Sequence, residues 1–257
     1  MYKSIRSACV SHTGNVRKNN EDNFFFNGEY LPSDNSGTKG VISDPSAKAV
    51  GPDDGVFYAV FDGMGGGEYG EIASFRCAEE TALFFSDENN INSRDIPDIL
   101  EDLCSSLNDA VFSAKTDLGA YQVGSTIASV YLVNGGAWAC NIGDSKVFWY
   151  SKRKQELRQI SVDHTDRHFS TDNPVLTQYL GIDPEEIRIE PCITFFEPES
   201  NDKIILCSDG LTDMLSEAII SETVSFGMPA CNAENMLNNA LEAGGRDNIS
   251  VIVIEII

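Results

Sequence analysis

The sequence predicts an α+β fold built from packed layers of helices and antiparallel strands. Short apolar strand segments flank a central pair of helical segments, and a second helical pair precedes the last strand. Glycine-rich turns join many neighbouring strands as hairpins. Because hairpins outnumber strand–helix–strand units, layered antiparallel sheets are favoured over a doubly wound parallel sheet. Residues 1–257 contain no internal repeat and no evident linker, so we expect one domain.

The N-terminal quarter predicts three strands and one long loop. Residues 5–13 and 22–30 have β character, and the second segment contains three consecutive phenylalanines. Residues 56–61, VFYAVF, are typical of a buried strand, which we expect to end abruptly at Asp62-Gly63. Residues 31–55 are rich in proline, glycine, aspartate and serine, a composition that predicts a long polar loop or insertion.

Two helices are predicted next. Residues 71–85 are alanine-rich and amphipathic. Apolar residues recur at helical spacing from residue 96 to residue 118, about six turns. Asp95 is a candidate cap for the first turn, Pro97 is tolerated near the start, and Gly119 follows the end.

The C-terminal half predicts short strands and a second helical pair. Glycines and aspartates at 135–136 and 143–144 mark tight turns, and residues 163–187 look irregular or weakly helical. Strands are predicted at 126–133, 137–142, 147–150, 157–160, 188–196, 203–207 and 249–257, and helical segments at about 211–224 and 231–243.

The charge and the cysteine pattern exclude several classes of protein. Forty acidic and eighteen basic residues give a net charge of −22, which repels nucleic acid and anionic membranes and attracts divalent cations. Seven scattered cysteines without a C-x-x-C pair indicate reduced thiols, and three histidines away from them make a zinc site improbable. The polar N-terminus resembles no signal peptide, and no stretch reaches the length of a membrane span. We therefore expect a soluble cytoplasmic protein with no nucleic-acid or membrane partner.

Five aspartates lie where apolar strands meet glycines or turns: Asp22, Asp62, Asp144, Asp209 and Asp247. Taken singly, each fits a turn or strand-end residue. Taken together, they can converge at one edge of the sheets, where carboxylates repel one another unless cations neutralise them. Hard oxygen ligands of this kind suit Mg²⁺ or Mn²⁺. The glycine after Asp62 allows backbone to approach a metal closely.

Six motifs in this order resemble the metal-dependent Ser/Thr protein phosphatases of type 2C (the PPM family), especially their bacterial branch. They are R-x-x-N-E-D, D-G-M-G-G, G-S-T, G-D-S, S-D-G-L-T-D and G-x-x-D-N-I-S, and they run from Arg17 to Ser250. The resemblance implies a four-layer α-β-β-α sandwich, with two antiparallel sheets flanked by helices. It also implies that residues 1–257 form a single PPM-type domain.

The resemblance also implies two Mn²⁺ or Mg²⁺ ions at the sandwich edge. Asp62 matches the aspartate that bridges both ions, and Gly63 matches the residue that gives its carbonyl oxygen. Asp209 and Asp247 match the ligands of the first ion.

The remaining site residues follow from the same motifs. Glu21 and Asp22 match the acidic pair of the second ion, either direct or through water. Arg17 matches the arginine that grips the substrate phosphate. Asp144 matches a ligand of a third, variably filled ion, although Lys146 stands where the family usually has arginine.

The implied reaction is direct attack of a metal-bridging hydroxide on phosphoserine or phosphothreonine in proteins, performed by a monomer, with Arg17, Asp62 and Asp209 as the catalytic residues. Two departures from the family are visible. Met64 and Gly67 stand where relatives have a histidine that could protonate the leaving group. The flap segment within 163–187 is short, and the insertion at 31–55 is not a standard family feature.

Two alternatives remain open from the sequence. One keeps the metals but changes the substrate to a small phosphoester. The other is a non-catalytic phosphatase-like module that senses or binds a partner, which the missing histidines motivate.

Overall fold

A computed structural model describes residues 3–50, 55–64, 69–91, 94–133, 135–166 and 175–257. Two large sheets dominate it, and every strand pair among these residues is antiparallel. The first sheet contains, in spatial order, β3 (Ile42–Val50), β1 (Lys3–His12), β14 (Ile249–Ile256), β13 (Lys203–Cys207), β8 (Lys146–Ser151) and β9 (Glu156–Gln159). The second contains β12 (Cys192–Phe196), β7 (Gly136–Ile142), β6 (Ile127–Val133), β4 (Val56–Met64) and β2 (Asp22–Phe25), with β5 (Gly124–Ser125) pairing with β4.

The helices cover the outer faces of the two sheets. They are α1 (Gly70–Ser86), α2 (Ile96–Leu118), α3 (Asp209–Thr212), α4 (Glu217–Ser225) and α5 (Pro229–Glu242), with a short 3₁₀ turn at Glu88–Asn90. A separate two-stranded ribbon pairs β10 (Thr165–Asp166) with β11 (Val175–Leu176). The predicted four-layer α-β-β-α sandwich is therefore confirmed.

Strand alternation explains why four layers form. In β4, Val56, Tyr58 and Val60 pack into the core between the sheets. Phe57 and Phe61, on the opposite face, pack against α1 and α2. Side chains alternate along a strand, so a strand that is apolar at every position needs a layer on each face. Each such aliphatic side chain, once fully buried, stabilises the fold by about 1.5–3 kcal/mol.

The last strand repeats this pattern on the first sheet. Ile252 and Ile254 of β14 face the core between the sheets. Val251 and Val253 face α3, α4 and α5. The central strands β4 and β14 therefore lie back to back, and their ends define where loops from both sheets can meet.

The structure corrects the prediction of a loop over residues 31–55. Ile42–Val50 forms the edge strand β3, paired with β1 through a register shift. An edge strand has one unpaired side, so it accepts a proline that a central strand would reject, and Pro45 hid this strand from sequence reasoning. Residues 31–41 are irregular, as expected.

The strand that contains Asp62 also differs from the prediction. It does not end at Asp62-Gly63 but continues to Met64, because Gly63 and Met64 pair with Ser125 and Gly124 of the short strand β5. The prediction missed this pairing because β5 has only two residues and contains no apolar pattern.

Other predicted boundaries shift for local reasons. Asp95 precedes α2, but its side chain makes no capping hydrogen bond, and Pro97 at the second helical position has no N–H to donate to it. Gly119 ends this helix in the left-handed conformation, as expected. The predicted helix at 211–224 is two helices, since the chain turns at 213–216 so that Leu215 reaches the core. The predicted strands at 22–30 and 188–196 are shorter, ending at Phe25 and beginning at Cys192.

Candidate active site

Two predicted site residues face each other on neighbouring strands. Asp22 begins β2, and its partner across the ladder is Asp62 in β4. The backbone of Asp62 is fixed from the other side by Thr126, whose hydroxyl oxygen accepts from the Asp62 N–H at 3.2 Å. The Thr126 N–H in turn donates to the Asp62 carbonyl at 2.9 Å. The G-S-T motif therefore holds the aspartate in place, and Asp62 is set by its sheet rather than by a flexible loop.

A buried hydroxyl joins the two sheets at Asp22. The Ser208 Oγ donates to Asp22 Oδ2 at 2.7 Å and accepts from the Ser250 N–H at 3.0 Å. Ser208 is also the residue before α3, which begins at Asp209. One serine thus links the start of β2 to the loop that presents Asp209. Sequence reasoning missed this residue, although it begins the S-D-G motif.

The carboxyl groups are close enough to perturb one another strongly. Burial raises the pKa of Asp62 well above its ordinary value, and the charges of Asp209 and Asp22 raise it further. Burial, followed by the charge of Asp144, raises the pKa of Asp209 to about 7. Burial also raises the pKa of Asp22 to about 7, although its hydrogen bond from Ser208 opposes the rise. These are carboxylates that a nearby cation would stabilise.

Arg17 and Asp247 form an ion pair at the rim of the cluster. The Arg17 Nη2 donates to Asp247 Oδ2 at 2.6 Å, and this bond raises the pKa of Arg17. About half of the Arg17 side chain is exposed, at 52%. The guanidinium therefore stands at the mouth of the cluster with donors left for a ligand, because arginine has five N–H donors.

Asn248 fixes the loop that contains Glu21. Its Oδ1 accepts from the Glu21 N–H at 2.7 Å, and its Nδ2 donates to the carbonyls of Thr13 and Asn19. The same residue follows Asp247, whose Oδ1 accepts the Asn248 N–H at 2.8 Å. Asn248 thus joins the two loops that contribute Glu21 and Asp247.

A gap shaped by glycine lies beside Gly63. A Cβ added to Gly70 would be 2.9 Å from the Gly63 carbonyl oxygen and 3.0 Å from Glu21 Oε2. A side chain at Gly63 would meet the carbonyls of Gly70 and Glu21. A carbonyl oxygen and a carboxylate oxygen therefore converge where glycine leaves space.

Asp144 lies in a second acidic cavity, of about 280 Å³, that shares Asp209 with the main cluster. Gly143, in the left-handed conformation, makes the turn before Asp144. Burial raises the pKa of Asp144, while the charge of Lys146 lowers it. Lys146 occupies this cavity as an internal cation, paired with Asp163 at 2.6 Å.

Two further acids line these sites that sequence reasoning did not assign. Asp213 lies in the cavity of Asp144, one helical turn after Asp209, and the S-D-G-L-T-D motif already contained it at that spacing. Glu71 begins the first turn of α1 and interacts electrostatically with Glu21. Its signal was an acidic residue directly after the glycine-rich loop.

The described histidines fix backbone turns, and part of the predicted flap lies outside the described residues. The Nδ1 of His12 accepts from the Gly14 N–H, and the Nδ1 of His164 accepts from the Gly143 N–H, so both rings hold backbone turns. Met64 ends β4. Gly67, His168 and residues 167–174 of the flap lie outside the described residues.

A cavity elsewhere does not compete with this cluster as a site for phosphate chemistry. It has a volume of about 470 Å³ and lies at the opposite end of β4 from Asp62. Phe25, Phe57, Phe85 and Tyr131 line it together with Asn27, Lys48 and Glu88. Glu88 is the one carboxylate among these lining residues, so they offer no cluster of acids for a divalent cation.

The donor set of the acidic cluster fits hard divalent cations. Carboxylates and one backbone carbonyl are the oxygen ligands that Mg²⁺ and Mn²⁺ take. Within the described ranges, no three acidic, histidine or cysteine side chains already stand in a finished ligand arrangement. A metal ion held by three or more of these side chains would therefore require them to rotate.

A strand-end cluster of acids on a β-sandwich between helical layers defines a class of metal-dependent hydrolase, and comparison with known proteins gives the family. The profile of the family Protein phosphatase 2C matches residues 39–243. The chain belongs to the protein phosphatase 2C family, whose members depend on metal ions.

Bacterial relatives agree with this assignment. The chain is 27% identical to serine/threonine protein phosphatase PstP of Mycobacterium tuberculosis over 98% of its own length and 45% of that protein. It is 26% identical to serine/threonine phosphatase stp of Listeria monocytogenes, covering 76% of this chain and 82% of that one. The chain therefore spans about half the length of PstP.

Solved structures share the fold. The crystal structure of the PstP catalytic domain in complex with two manganese ions superimposes with a TM-score of 0.76 at 26% identity, covering 100% of both chains. The Streptococcus agalactiae serine/threonine phosphatase superimposes with a TM-score of 0.78 at 20% identity, covering 98% of this chain and 99% of that one. Of the helices in the described ranges, none is long and apolar enough to cross a membrane.

Proposed function

We propose that this chain is a metal-dependent protein phosphatase that hydrolyses phosphoserine and phosphothreonine in proteins. The observation that carries the proposal is the buried cluster around Asp62, where the charges of Asp209 and Asp22 raise the pKa of the Asp62 carboxyl and favour a bound cation. The sequence similarity to PstP and stp supports the same activity and the same class of substrate.

We propose two Mn²⁺ or Mg²⁺ ions in this cluster. Asp62, Asp209 and Asp247 would hold the first ion, and Asp62 would also contribute to the second. Asp22 lies directly opposite Asp62 on the neighbouring strand, with its carboxylate oriented by Ser208.

The second ion would lie towards Glu21 and the Gly63 carbonyl, which converge beside Gly70. A third ion at Asp144 is conditional, because Lys146 already supplies one positive charge to that cavity.

Each protein group then has a definite task. Bound cations of this type supply water activation and neutralise charge on a transferring phosphoryl group. Arg17 binds the substrate phosphate with the guanidinium donors that Asp247 does not use. Asn248 holds the loop from Arg17 to Glu21 against the loop of Asp247, which keeps the phosphate-binding arginine next to the acidic residues.

We propose that residues 1–257 act as one phosphatase domain, as a monomer in the cytoplasm. Six of the seven cysteines are buried or half-buried free thiols, which fits a reducing compartment. The net charge of −22 opposes binding to nucleic acid or to anionic membranes, which leaves phosphoproteins as the proposed partners.

The test is phosphate release from a phosphothreonine peptide with Mn²⁺, in the wild type and in Asp209→Asn. We expect Mn²⁺-dependent release that falls about 100-fold in the variant, because a neutral amide oxygen binds a divalent cation less strongly than a carboxylate does. Asp109→Asn, on the exposed face of α2, is the matched control and should keep full activity. Metal-independent release, or an active Asp209→Asn variant, would contradict the proposal.

The substrate class needs a separate comparison. Rates are measured on the phosphopeptide and on a small phosphate ester at the same Mn²⁺ concentration. We expect a higher kcat/KM for the peptide. A clear preference for the small ester would refute the substrate proposal while leaving the metal site intact.

A further inference from the structure

Glu71 has a carboxylate oxygen whose environment is unusual. It lies in the first turn of α1, directly after Gly70. Its Oε2 is enclosed by protein, yet it accepts no hydrogen bond from any residue that the structure describes. A buried acceptor without a donor costs free energy and needs a physical explanation.

The neighbours of Glu71 add to the negative charge around it. The negative charge of Glu71 repels that of Glu21. Arg17, the cation that acts on Glu21, is already bonded to Asp247. Two carboxylates thus lie side by side near the start of α1, whose N-terminal end contributes only a fractional positive charge.

An independent geometric feature brings further oxygen atoms to the same place. The Gly63 carbonyl oxygen and Glu21 Oε2 both lie within 3.0 Å of where a Cβ of Gly70 would stand. Gly70 has ordinary helical backbone, so the chain does not need glycine there for conformation. The missing side chain therefore lets the carbonyl and the carboxylate approach the start of α1 closely, so that their oxygen atoms converge.

We propose that Glu71 is a further acidic residue of the second metal site, acting with Glu21 and the Gly63 carbonyl. The inference rests on the proposed function, because that function supplies the metal. Mg²⁺ and Mn²⁺ take hard oxygen donors and commonly keep some of their water, so Glu71 binds the ion directly or accepts from its water. Either contact satisfies the bare Oε2 and offsets the repulsion from Glu21.

Glu71→Gln tests the proposal with little change in shape. Mn²⁺ binding is measured by calorimetry on the full chain, and bound Mn²⁺ is counted by electron paramagnetic resonance. We expect the weaker of two binding events to lose 10–100-fold in affinity, the usual effect of removing a group that supports a metal ligand. The stronger event should be unchanged, because Asp209 and Asp247 remain.

A matched control comes from the same helix. Glu79→Gln replaces an acid that pairs with Arg76 on the outer side of α1, away from Glu21. It has the same change in net charge and should keep both affinities. Equal losses in the two variants would overturn the proposal, since general charge would then explain the effect.

Gly70→Ala fills the space without altering charge. Its methyl group would crowd Gly63 and Glu21, so we expect the weaker Mn²⁺ event to be lost while the stronger one is kept. Wild-type binding in both Gly70→Ala and Glu71→Gln would overturn the proposal. Melting in EDTA checks folding, and Glu71→Gln should melt no lower than the wild type because it removes a like charge.

The dependence of activity on the Mn²⁺ concentration distinguishes a metal-site role of Glu71 from a purely structural one. Glu71→Gln should raise the Mn²⁺ concentration needed for half-maximal activity, whereas Glu79→Gln should leave that concentration unchanged. An unchanged Mn²⁺ requirement in Glu71→Gln would overturn the proposal. Failure of the wild type to bind Mn²⁺ would instead refute the proposed function itself, so the two failures are distinguishable.

Discussion

The acidic cluster should make the metal-free protein less stable as the pH rises, and Mn²⁺ should reverse the loss. Burial raises the pKa of Asp22 from 3.8 to about 7. A carboxyl group with a raised pKa in the folded state stabilises the fold most below its unfolded pKa, and this stability is lost as the pH rises through the folded pKa. The loss attributable to Asp22 therefore falls between about pH 4 and pH 7.

The size of the effect follows from that shift. A change in pKa from 3.8 to about 7 corresponds to at most about 4 kcal/mol of unfolding free energy. Asp62 and Asp209 titrate together with Asp22, so their contributions do not add. For a domain of this size, 1 kcal/mol moves the melting temperature by about 2–4 °C. About 2.7 kcal/mol of this is lost between pH 5 and pH 7, so the metal-free protein should melt roughly 5–11 °C lower at pH 7.5 than at pH 5.

The assay is thermal unfolding by circular dichroism, in EDTA and in Mn²⁺. At pH 7.5, Mn²⁺ at 100 times its dissociation constant should restore about 2.7 kcal/mol for each site filled. Asp22→Asn keeps an acceptor for Ser208 and removes the charge, so its profile in EDTA should be flatter. Asp109→Asn, exposed on α2, controls for the overall charge. The reasoning would be refuted if the melting temperature of the wild type in EDTA did not change with pH. It would also be refuted if the melting temperature of Asp22→Asn fell with pH as steeply as that of the wild type.

Four further outcomes are expected. Lys203→Met should lower the unfolding free energy by about 2–4 kcal/mol, because the buried ammonium donates three hydrogen bonds whose acceptors would lose their partner. Chemical denaturation measures this loss, and calorimetry should show an unchanged Mn²⁺ affinity. Gly143→Ala should cost about 1–2 kcal/mol or more from its left-handed φ of 96°, with its Cβ pressed against Thr126, and an unchanged melting temperature would contradict this. Arg17→Ala should lower kcat/KM for a phosphopeptide roughly 10–100-fold and weaken inhibition by free phosphate, whereas Arg17→Lys should recover only part because it loses the planar fork. Peptides with basic residues beside the phosphosite should be hydrolysed faster at low salt, because the protein carries a large negative charge. Equal rates on acidic peptides would show that this charge does not select the substrate.

Sequence patterns predicted most of the fold because most elements have a periodic apolar signal. The helix Ile96–Leu118 and the strand Lys203–Cys207 were predicted at their observed bounds. Elements without such a signal were missed. β3 contains a proline and sits at a sheet edge, and β5 is two residues long. Their existence depends on a partner strand that is distant in the chain, so local pattern could not indicate them.

The candidate site shows the same division. The sequence by itself determined which acids could act, because each stands in a motif beside a strand end: Glu21, Asp22, Asp62, Asp144, Asp209 and Asp247. Their roles as metal ligands remain predictions. The tertiary structure decided which of these acids lie close enough to interact. The pairing of β2 with β4 sets Asp22 opposite Asp62, and the hydrogen bond from Ser208 connects Asp22 to the start of α3.

Only the tertiary structure revealed Glu71. In the sequence it is one acid at a helix start, a position where acids are common for reasons of the helix dipole alone. Its meaning depends on Glu21, 50 residues earlier in the chain, and on the space beside Gly70. Composition and spacing indicate which oxygen donors the chain has for a cation. Which oxygens meet at one point depends on long-range packing, which no local pattern encodes.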